Sequence, residues 1–476
     1  MSEDFVRDVL REHAEADMPA EKDPWPAIRD RVQASYSAQQ ATSSPGHIVS
    51  ESPQPGVGRT TLVRSRSRFR ISMAMAMTGL LAFAAGSIAF LAGNDGRPQP
   101  NYSAFIPGCW GVVSSPNVEG GDTVLSYISA SSANDVWAVG YSSSVGVART
   151  LVQRWNGQQW AIVPSDNVPS RNNYLTAVEA LTTNNVWLVG YHCTGDCTGE
   201  VAPLIQHWDG TQLSTISVPG YGRLNGIAAV SANDIWAVGN YGIRPTFMHW
   251  DGQQWLEIPT NDPPPENSSI QLTGAVALSS NDVWAVGQQR STSANYNDVI
   301  YHWDGIRWRS LVDTGGDRDA RLYEVAASSA NNVWAVGEKG NSPSGGEPLQ
   351  TVTKRWDGTN WNEVPSPNVG TGDSYLRGIA VISPTDAWAV GGYGPRTGTK
   401  QTLVLHWDGA AWSVVPSPNV EGQSNRFFSI DAISANKIWA VGTYNKTGTG
   451  AFVERYKNPC IVATPTPMVL PIPNTR

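Results

Sequence analysis

Three sets of residues in this 476-residue chain are of types that could do chemistry. The first is acidic: Asp209, Asp251, Asp304, Asp357 and Asp408 each stand in a Trp-Asp-Gly triplet. Carboxylate pairs roughly 5–10 Å apart could serve glycosidic or acid–base chemistry. Residues that recur once per repeat would instead sit around a rim, far from one another, and Asp-Gly is the chemistry of a tight turn. The turn is the stronger reading. The second set is His207, His249, His302 and His406, which precede the Trp of four such triplets. Spread over different repeats, they do not make a metal site. The third is Cys193-Thr-Gly-Asp-Cys197. One pair lacks the four ligands of a structural zinc site. That leaves a local disulfide, or free thiols with a redox role. No nucleophile–base pair, P-loop or dinucleotide fingerprint is found. No cofactor or metal is expected, and an enzyme is the weaker reading. The net charge of −8, with no basic face in the repeats, sets nucleic acid aside.

The elements that position these residues are short strands. Twenty Trp are present, 19 of them between Trp110 and Trp439, together with 46 Gly and 32 Pro. Asp135-Val-Trp-Ala-Val-Gly140 is the first of seven similar copies, with Trp at 137, 187, 236, 284, 334, 388 and 439. Each copy reads as four strands: a piece such as Leu376 to Val381, the Val-Trp-Ala-Val-Gly strand, a piece ending His406 to Gly409, and Trp412 to Val415. Asp-Gly between apolar runs is a strong hairpin signal, because both positions tolerate φ > 0. Four strands in about 50 residues make one propeller blade. The expected fold is all-β, a seven-bladed β-propeller with four-stranded blades over 108–460. The repeated Trp then fill the gaps between blades rather than stack on sugars.

The phase of the repeat says how the ring closes. The last copy lacks its Trp-containing fourth strand, and that strand stands in front of the first copy: Trp110-Gly-Val-Val-Ser-Ser-Pro-Asn117 matches Trp412-Ser-Val-Val-Pro-Ser-Pro-Asn419. An N-terminal strand should therefore complete blade seven. Aligning Tyr456 on Trp407 brings Cys109 and Cys460 to the same corner, which predicts a Cys109–Cys460 disulfide. Across about 350 residues, loop-entropy models give about 5 kcal/mol of stabilisation.

Asp386-Ala-Trp-Ala-Val-Gly-Gly392, then Val404-Leu-His-Trp-Asp408 and Trp412-Ser-Val-Val-Pro416, resembles a kelch repeat of bacterial type. Only Gly391-Gly392 is a true double Gly; the other copies carry Tyr141, Tyr191, Asn240, Gln288, Glu338 or Thr443 at the second position. Trp-Asp-Gly-Thr-Asn-Trp361 shares Asp, Gly and Trp with the Asp-box of sialidase-type propellers, but not its Ser or spacer. The kelch resemblance implies that the second-to-third-strand loops and the interblade linkers share one face. The loops from Tyr141, Tyr191, Gln288, Glu338 and Gly392 are long and varied, as binding loops on a rigid scaffold are. At the channel mouth the inner strands should place Ser126, Thr176, Asn225, Thr273, Tyr323, Arg377 and Phe428. Arg377 beside Tyr323 suits an anionic or peptide ligand; a water-filled channel without a ligand is the alternative.

Residues 71–93 (ISMAMAMTGLLAFAAGSIAFLAG) carry no charge and are long enough to span a bilayer. Five Arg precede them between Arg59 and Arg70 and one, Arg97, follows closely, which puts the N-terminus in the cytoplasm and the propeller outside. Residues 1–70 read as a cytoplasmic helical segment and linker. The stretch AEKDPWPAIRDRVQ resembles bacterial anti-sigma and related single-pass proteins, which implies a regulator bound by residues 1–36. Residues 94–107 read as a linker and 461–476 as a disordered Pro/Thr-rich tail. The expectation is a membrane-anchored, extracytoplasmic propeller that binds a protein, peptide or glycan. A transmembrane sensor and a sialidase- or lyase-type enzyme are the alternatives.

Overall fold

The computed structural model describes residues 109–457, apart from 219, 261, 263, 292–295, 312–318, 341–346 and 446–448. The expected cytoplasmic segment, membrane span, linker and tail lie outside the described residues, as does Cys460. Among the described residues no helix is long and apolar enough to cross a membrane.

Seven four-stranded antiparallel sheets are present, one per repeat. In blade 1 the order is Asp122–Ser132, Asp135–Ser144, Val147–Trp155 and Trp160–Ile162. The inner strands of blades 2 to 6 are Asn172–Thr182, Arg223–Ser231, Ser268–Ser279, Ala320–Ser329 and Asp373–Ser383. Blade 7 has Ser424–Ser434, Lys437–Asn445 and Thr449–Lys457, and its fourth strand is Cys109–Val112. Trp110 pairs with Tyr456, and Cys109 with Lys457. Cys109 is disulfide-bonded.

The tryptophans explain why the blades adhere. Each repeat Trp packs into the next blade against two ring or apolar positions at its third-to-fourth-strand hairpin. Trp334 meets Trp407 at 5.0 Å and Trp412 at 5.3 Å. Trp439 of blade 7 meets Trp155 and Trp160 of blade 1 at 5.0 and 5.4 Å. Trp388 meets Tyr456 at 4.7 Å and Trp110 at 6.0 Å, so the N-terminal strand supplies the ring that the last repeat lacks. Aromatic pairs in such tilted and edge-on contacts add about 0.5–1.5 kcal/mol each beyond their buried area.

The repeat glycine follows from a bulge. Every inner strand carries one extra residue opposite that glycine, as between Leu125 and Tyr127 or Leu376 and Gly378. The bulge drives the carbonyl before it onto the glycine: a Cβ on Gly140 would collide with the Val124 carbonyl, and one on Gly391 with that of Tyr375. The repeat glycine is therefore a matter of backbone clearance.

The repeated polar residues are likewise structural. Asp209 Oδ1 accepts from the backbone N–H groups of Thr211 and Gln212 at 2.7 and 2.9 Å, and Asp408 does the same for Ala410 and Ala411. These hydrogen bonds hold both carboxyls below the usual range, Asp209 at about 2. His249, His302 and His406 bond Asp234, Asp282 and Asp386 at 2.8–2.9 Å and lie against the repeat Trp rings.

Candidate functional site: the channel mouth and throat

Each inner strand starts on the face bearing the interblade linkers and the second-to-third-strand loops, and ends at a tight turn on the other face. At the loop-bearing end, the position before the bulge pair holds Val124, Tyr174, Arg223, Gln271, Arg321, Tyr375 and Arg426. Facing them on the second strands stand Tyr141, Tyr191, Asn240, Gln288, Glu338, Gly392 and Thr443.

The bulge residues are the seven named from the sequence: Ser126, Thr176, Asn225, Thr273, Tyr323, Arg377 and Phe428. The structure divides them. Thr176 Oγ1 donates to the Leu224 carbonyl at 2.7 Å, Asn225 Nδ2 to that of Leu272 at 2.7 Å, and Thr273 Oγ1 to that of Leu322 at 2.9 Å. These three clasp one blade to the next. Ser126 and Phe428 are half-buried in the same register. Tyr323 and Arg377 build a polar cluster. Glu338, 2 % exposed, accepts from Arg321 Nη1 and the Tyr323 hydroxyl at 2.7 Å each, and from Arg377 Nη2 at 3.4 Å. The Arg377 guanidinium lies 3.6 Å from the Tyr323 ring centroid, and Arg321 lies 3.8 Å from that of Tyr296. Burial pushes the Tyr323 hydroxyl up to about 12, against the lowering pull of Arg377.

Across the mouth, the aromatic candidates cluster too. Tyr141 meets Tyr174 at 4.9 Å, and Tyr174 stacks on Tyr191 at 5.0 Å. Arg223 lies 4.6 Å from the Tyr191 ring. The mouth thus carries Arg223, Arg321, Arg377 and Arg426, with the Glu338 carboxylate buried among them and Asp122 and Asp373 acting on Tyr141 and Tyr375. The Nε groups of Arg321 and Arg426 are buried without a protein acceptor. Unused guanidinium donors beside rings suit a carboxylate or other anion.

Cys193 and Cys197 form a disulfide, which settles the sequence alternative for that pair. It closes the loop after Tyr191, and the Cys197 carbonyl accepts from Arg223 Nη2 at 3.4 Å.

Below the bulge lies a second cluster that the sequence reading did not find. Tyr127 of blade 1 hydrogen-bonds Glu324 of blade 5, and both interact electrostatically with Glu179 of blade 2; Tyr127 also senses Asp431 of blade 7. Side chains from four blades converge there, in the throat of the channel. Asp431 accepts from the Ala130 and Ala432 N–H groups at 2.7 Å each, and Glu324 from Val325 N–H at 3.0 Å. Burial raises all three carboxyls, Glu179 and Glu324 to about 8 and Asp431 to about 6. Gly226, Gly274 and Gly378 leave the room: a Cβ on Gly274 would meet Glu324 Oε1 at 2.6 Å. Continuing the inner-strand alternation past the bulge would have reached Tyr127, Glu179, Glu324 and Asp431. The one-residue shift of the bulge hid the register.

Among the described residues no group of three or more His, Cys, Asp or Glu is placed to hold a metal ion. Two open cavities lie on the loop-bearing face. One, of about 490 Å³, lies between blades 5 and 6 beside Asp373, Tyr393 and Arg396. The other, of about 480 Å³, lies between blades 2 and 3 beside Glu200, Tyr221, Arg223 and Tyr241.

No protein-family profile matches the chain, and no curated protein matches it. Solved structures do. YCF48 bound to D1 peptide aligns over 74 % of this chain and 98 % of its own, at 18 % identity and TM-score 0.45. A polysaccharide lyase, PL25 ulvan lyase bound to an oligosaccharide, covers 74 % and 94 %, at 10 % identity and TM-score 0.49. The RRP9 WD40 repeats cover 73 % and 97 %, at 9 % identity and TM-score 0.46. At these values no ligand or residue role passes to this chain; the propeller rests on its own strand pairing.

Proposed function

We propose that the chain is a binding module whose loop-bearing face takes an anionic ligand at the channel mouth. The observation that carries this is the set of four arginines, from blades 3, 5, 6 and 7, gathered beside the mouth tyrosines around Glu338. Clustered cations focus the field on an incoming anion. A lyase or sialidase would want Arg, Tyr and Glu together, and that trio is present. Its carboxylate, however, accepts three protein donors, and its tyrosine is held in the neutral form. Those groups are arranged to hold an anion rather than to move a proton.

The kelch-like assignment and the Cys109–Cys460 seam disulfide belong to the same proposal, as does anchoring by residues 71–93. Cys109 and Lys457 pair at the end of blade 7 away from the loops. A regulator bound by residues 1–36 belongs to the proposal as well.

The test is retention of the full-length chain on arrays of acidic peptides and of acidic and neutral oligosaccharides. Wild type should be held by acidic members and released by salt. The double variant Arg377→Gln/Arg426→Gln should lose about tenfold or more in affinity, as when charge-assisted hydrogen bonds go. Retention that ignores both substitutions would refute the mouth as the site.

A further inference from the structure

The cavity between blades 2 and 3 opens beside the mouth, and Arg223 belongs to both. Tyr221 and Tyr241 stand on its rim with rings 5.8 Å apart and nearly parallel at 27°. They are 56 % and 55 % exposed, and Ile243, next to them, is 58 % exposed. Large apolar side chains are usually withdrawn from water, so rings and an aliphatic chain displayed together mark a contact surface. The neighbouring loop of blade 1 displays Val145 and Val147 on the same face. A glycan would use the rings and the arginines but has no need of exposed valine and isoleucine. A polypeptide uses all of them, and Tyr and Arg are the side chains that dominate protein–protein contacts.

The charge of the cavity is also one-sided. Arg223 is the cation of its lining, and the lining carboxylate, Glu200, is already paired with Arg171 at 2.9 Å. Its far wall is the loop from Cys193 to Val201. That wall is fixed at three points: the disulfide, the hydrogen bond from Arg223 to the Cys197 carbonyl, and the Gly222 N–H donated to the Val201 carbonyl at 2.8 Å. The floor needs glycine, since Gly222 has φ of +114° and its Cβ would meet the Asn240 carbonyl at 2.6 Å.

We infer that this cavity seats an extended acidic polypeptide segment, with an apolar residue or proline on the Tyr221–Tyr241 pair and a neighbouring carboxylate on Arg223. The disulfide-pinned loop holds the wall in place. This rests on the binding-module reading and names the partner class: an acidic peptide that enters the mouth by way of blades 2 and 3. Extended, proline-containing segments dock on aromatic grooves of this kind with little entropy to lose.

The test is fluorescence anisotropy with the full-length chain. The probe is a fluorescein-labelled ten-residue peptide of alternating proline and glutamate, with a proline–glutamine peptide and an oligogalacturonate as controls. The proline–glutamate peptide should bind. Tyr221→Ala/Tyr241→Ala should weaken it about tenfold, the loss expected for a contact hot spot. Both side chains are exposed, so the variant should keep the wild-type melting temperature. Cys193→Ser/Cys197→Ser should weaken it in the same direction. Peptide binding that ignores the tyrosines but is lost in Arg377→Gln/Arg426→Gln would overturn the inference and leave the mouth reading standing. Binding of the oligogalacturonate in place of the peptide would overturn the partner class. Binding of none of the probes would overturn the inference outright.

Discussion

The mouth and the throat of the channel are built by the same seven inner strands, one bulge apart, and they treat charge in opposite ways. At the mouth, Arg223, Arg321 and Arg377 lie against the rings of Tyr191, Tyr296 and Tyr323, with Arg426 in the same register. In the throat, Glu179, Glu324 and Asp431 are buried far enough that burial raises their carboxyls to about 8, 8 and 6. A buried charge must be paired or given up: Glu179 and Glu324 give theirs up at neutral pH, and Asp431 has both oxygens bonded to backbone N–H groups. Its polar atoms are spent on the fold: Asp431 and Ser429 of blade 7 accept from blade 1, and Ser129 of blade 1 accepts from Ala180 N–H of blade 2 at 3.0 Å. The mouth keeps donors in reserve. The throat can therefore be changed only at the expense of stability, whereas the mouth arginines are the groups proposed to bind.

Substitutions can break that contrast. The largest effect should come from Gly274→Val, which drives a side chain into Glu324; overpacking of this kind costs about 3 kcal/mol, read by urea denaturation. Arg426→Gln at the mouth should change stability by less than about 0.5 kcal/mol in the same assay. Equal losses at the two sites would erase the distinction.

The pH dependence sharpens it. Glu179 and Glu324 have folded-state pKa values raised above their unfolded ones, so the folded state binds the extra protons. Their contribution is complete below the unfolded carboxylate range and is lost as pH rises through about 8. The melting temperature should fall between pH 5 and 8, and Glu179→Gln/Glu324→Gln should flatten that slope. A slope unchanged in the double variant would place the titrating groups elsewhere.

Tyr127→Phe removes one hydroxyl that reaches across the throat to Glu324 and should cost about 1–2 kcal/mol in chemical denaturation. One substitution should act in the opposite direction. Glu454 is fully buried, with neither carboxylate oxygen bonded, and burial raises it to about 9. At the matching third-strand positions, Gln153 and Gln206 donate to linker carbonyls of Pro116 and Asp166 at 2.8 Å. Glu454→Gln supplies that donor and should stabilise blade 7 by about 1 kcal/mol, seen as a higher urea midpoint.

What could be read from the sequence was what repeats. Trp137 and its six counterparts, the Asp-Gly turns and the Trp110 strand displaced to the front of the chain gave blade number, strand order and the completed blade 7. Pairing of Cys193 with Cys197 was one of two readings their spacing allowed, and the disulfide is the one formed. The mouth was half legible: Tyr323 and Arg377 stood out, but Glu338, which binds both, lies on another strand and read only as a departure from the kelch pattern and the start of a variable loop. Thr176, Asn225 and Thr273 occupy the same register yet serve as clasps, because a short polar side chain at the bulge reaches the carbonyl of the next blade. The throat was not legible. Its residues come from four blades separated by up to about 300 positions, and only the closed geometry of the strands sets Tyr127 against Glu324.

The central claim is that ligand enters at the loop-bearing face. Hydrogen exchange of the full-length chain, with and without poly-glutamate, tests it most directly. Protection confined to the starts of the inner strands and the adjoining loops, around Arg223, Tyr241, Tyr323, Arg377 and Arg426, is the predicted result. Protection at the tight turns of the opposite face, around Asn134, Asn233 and Thr385, or no protection at all, would contradict it.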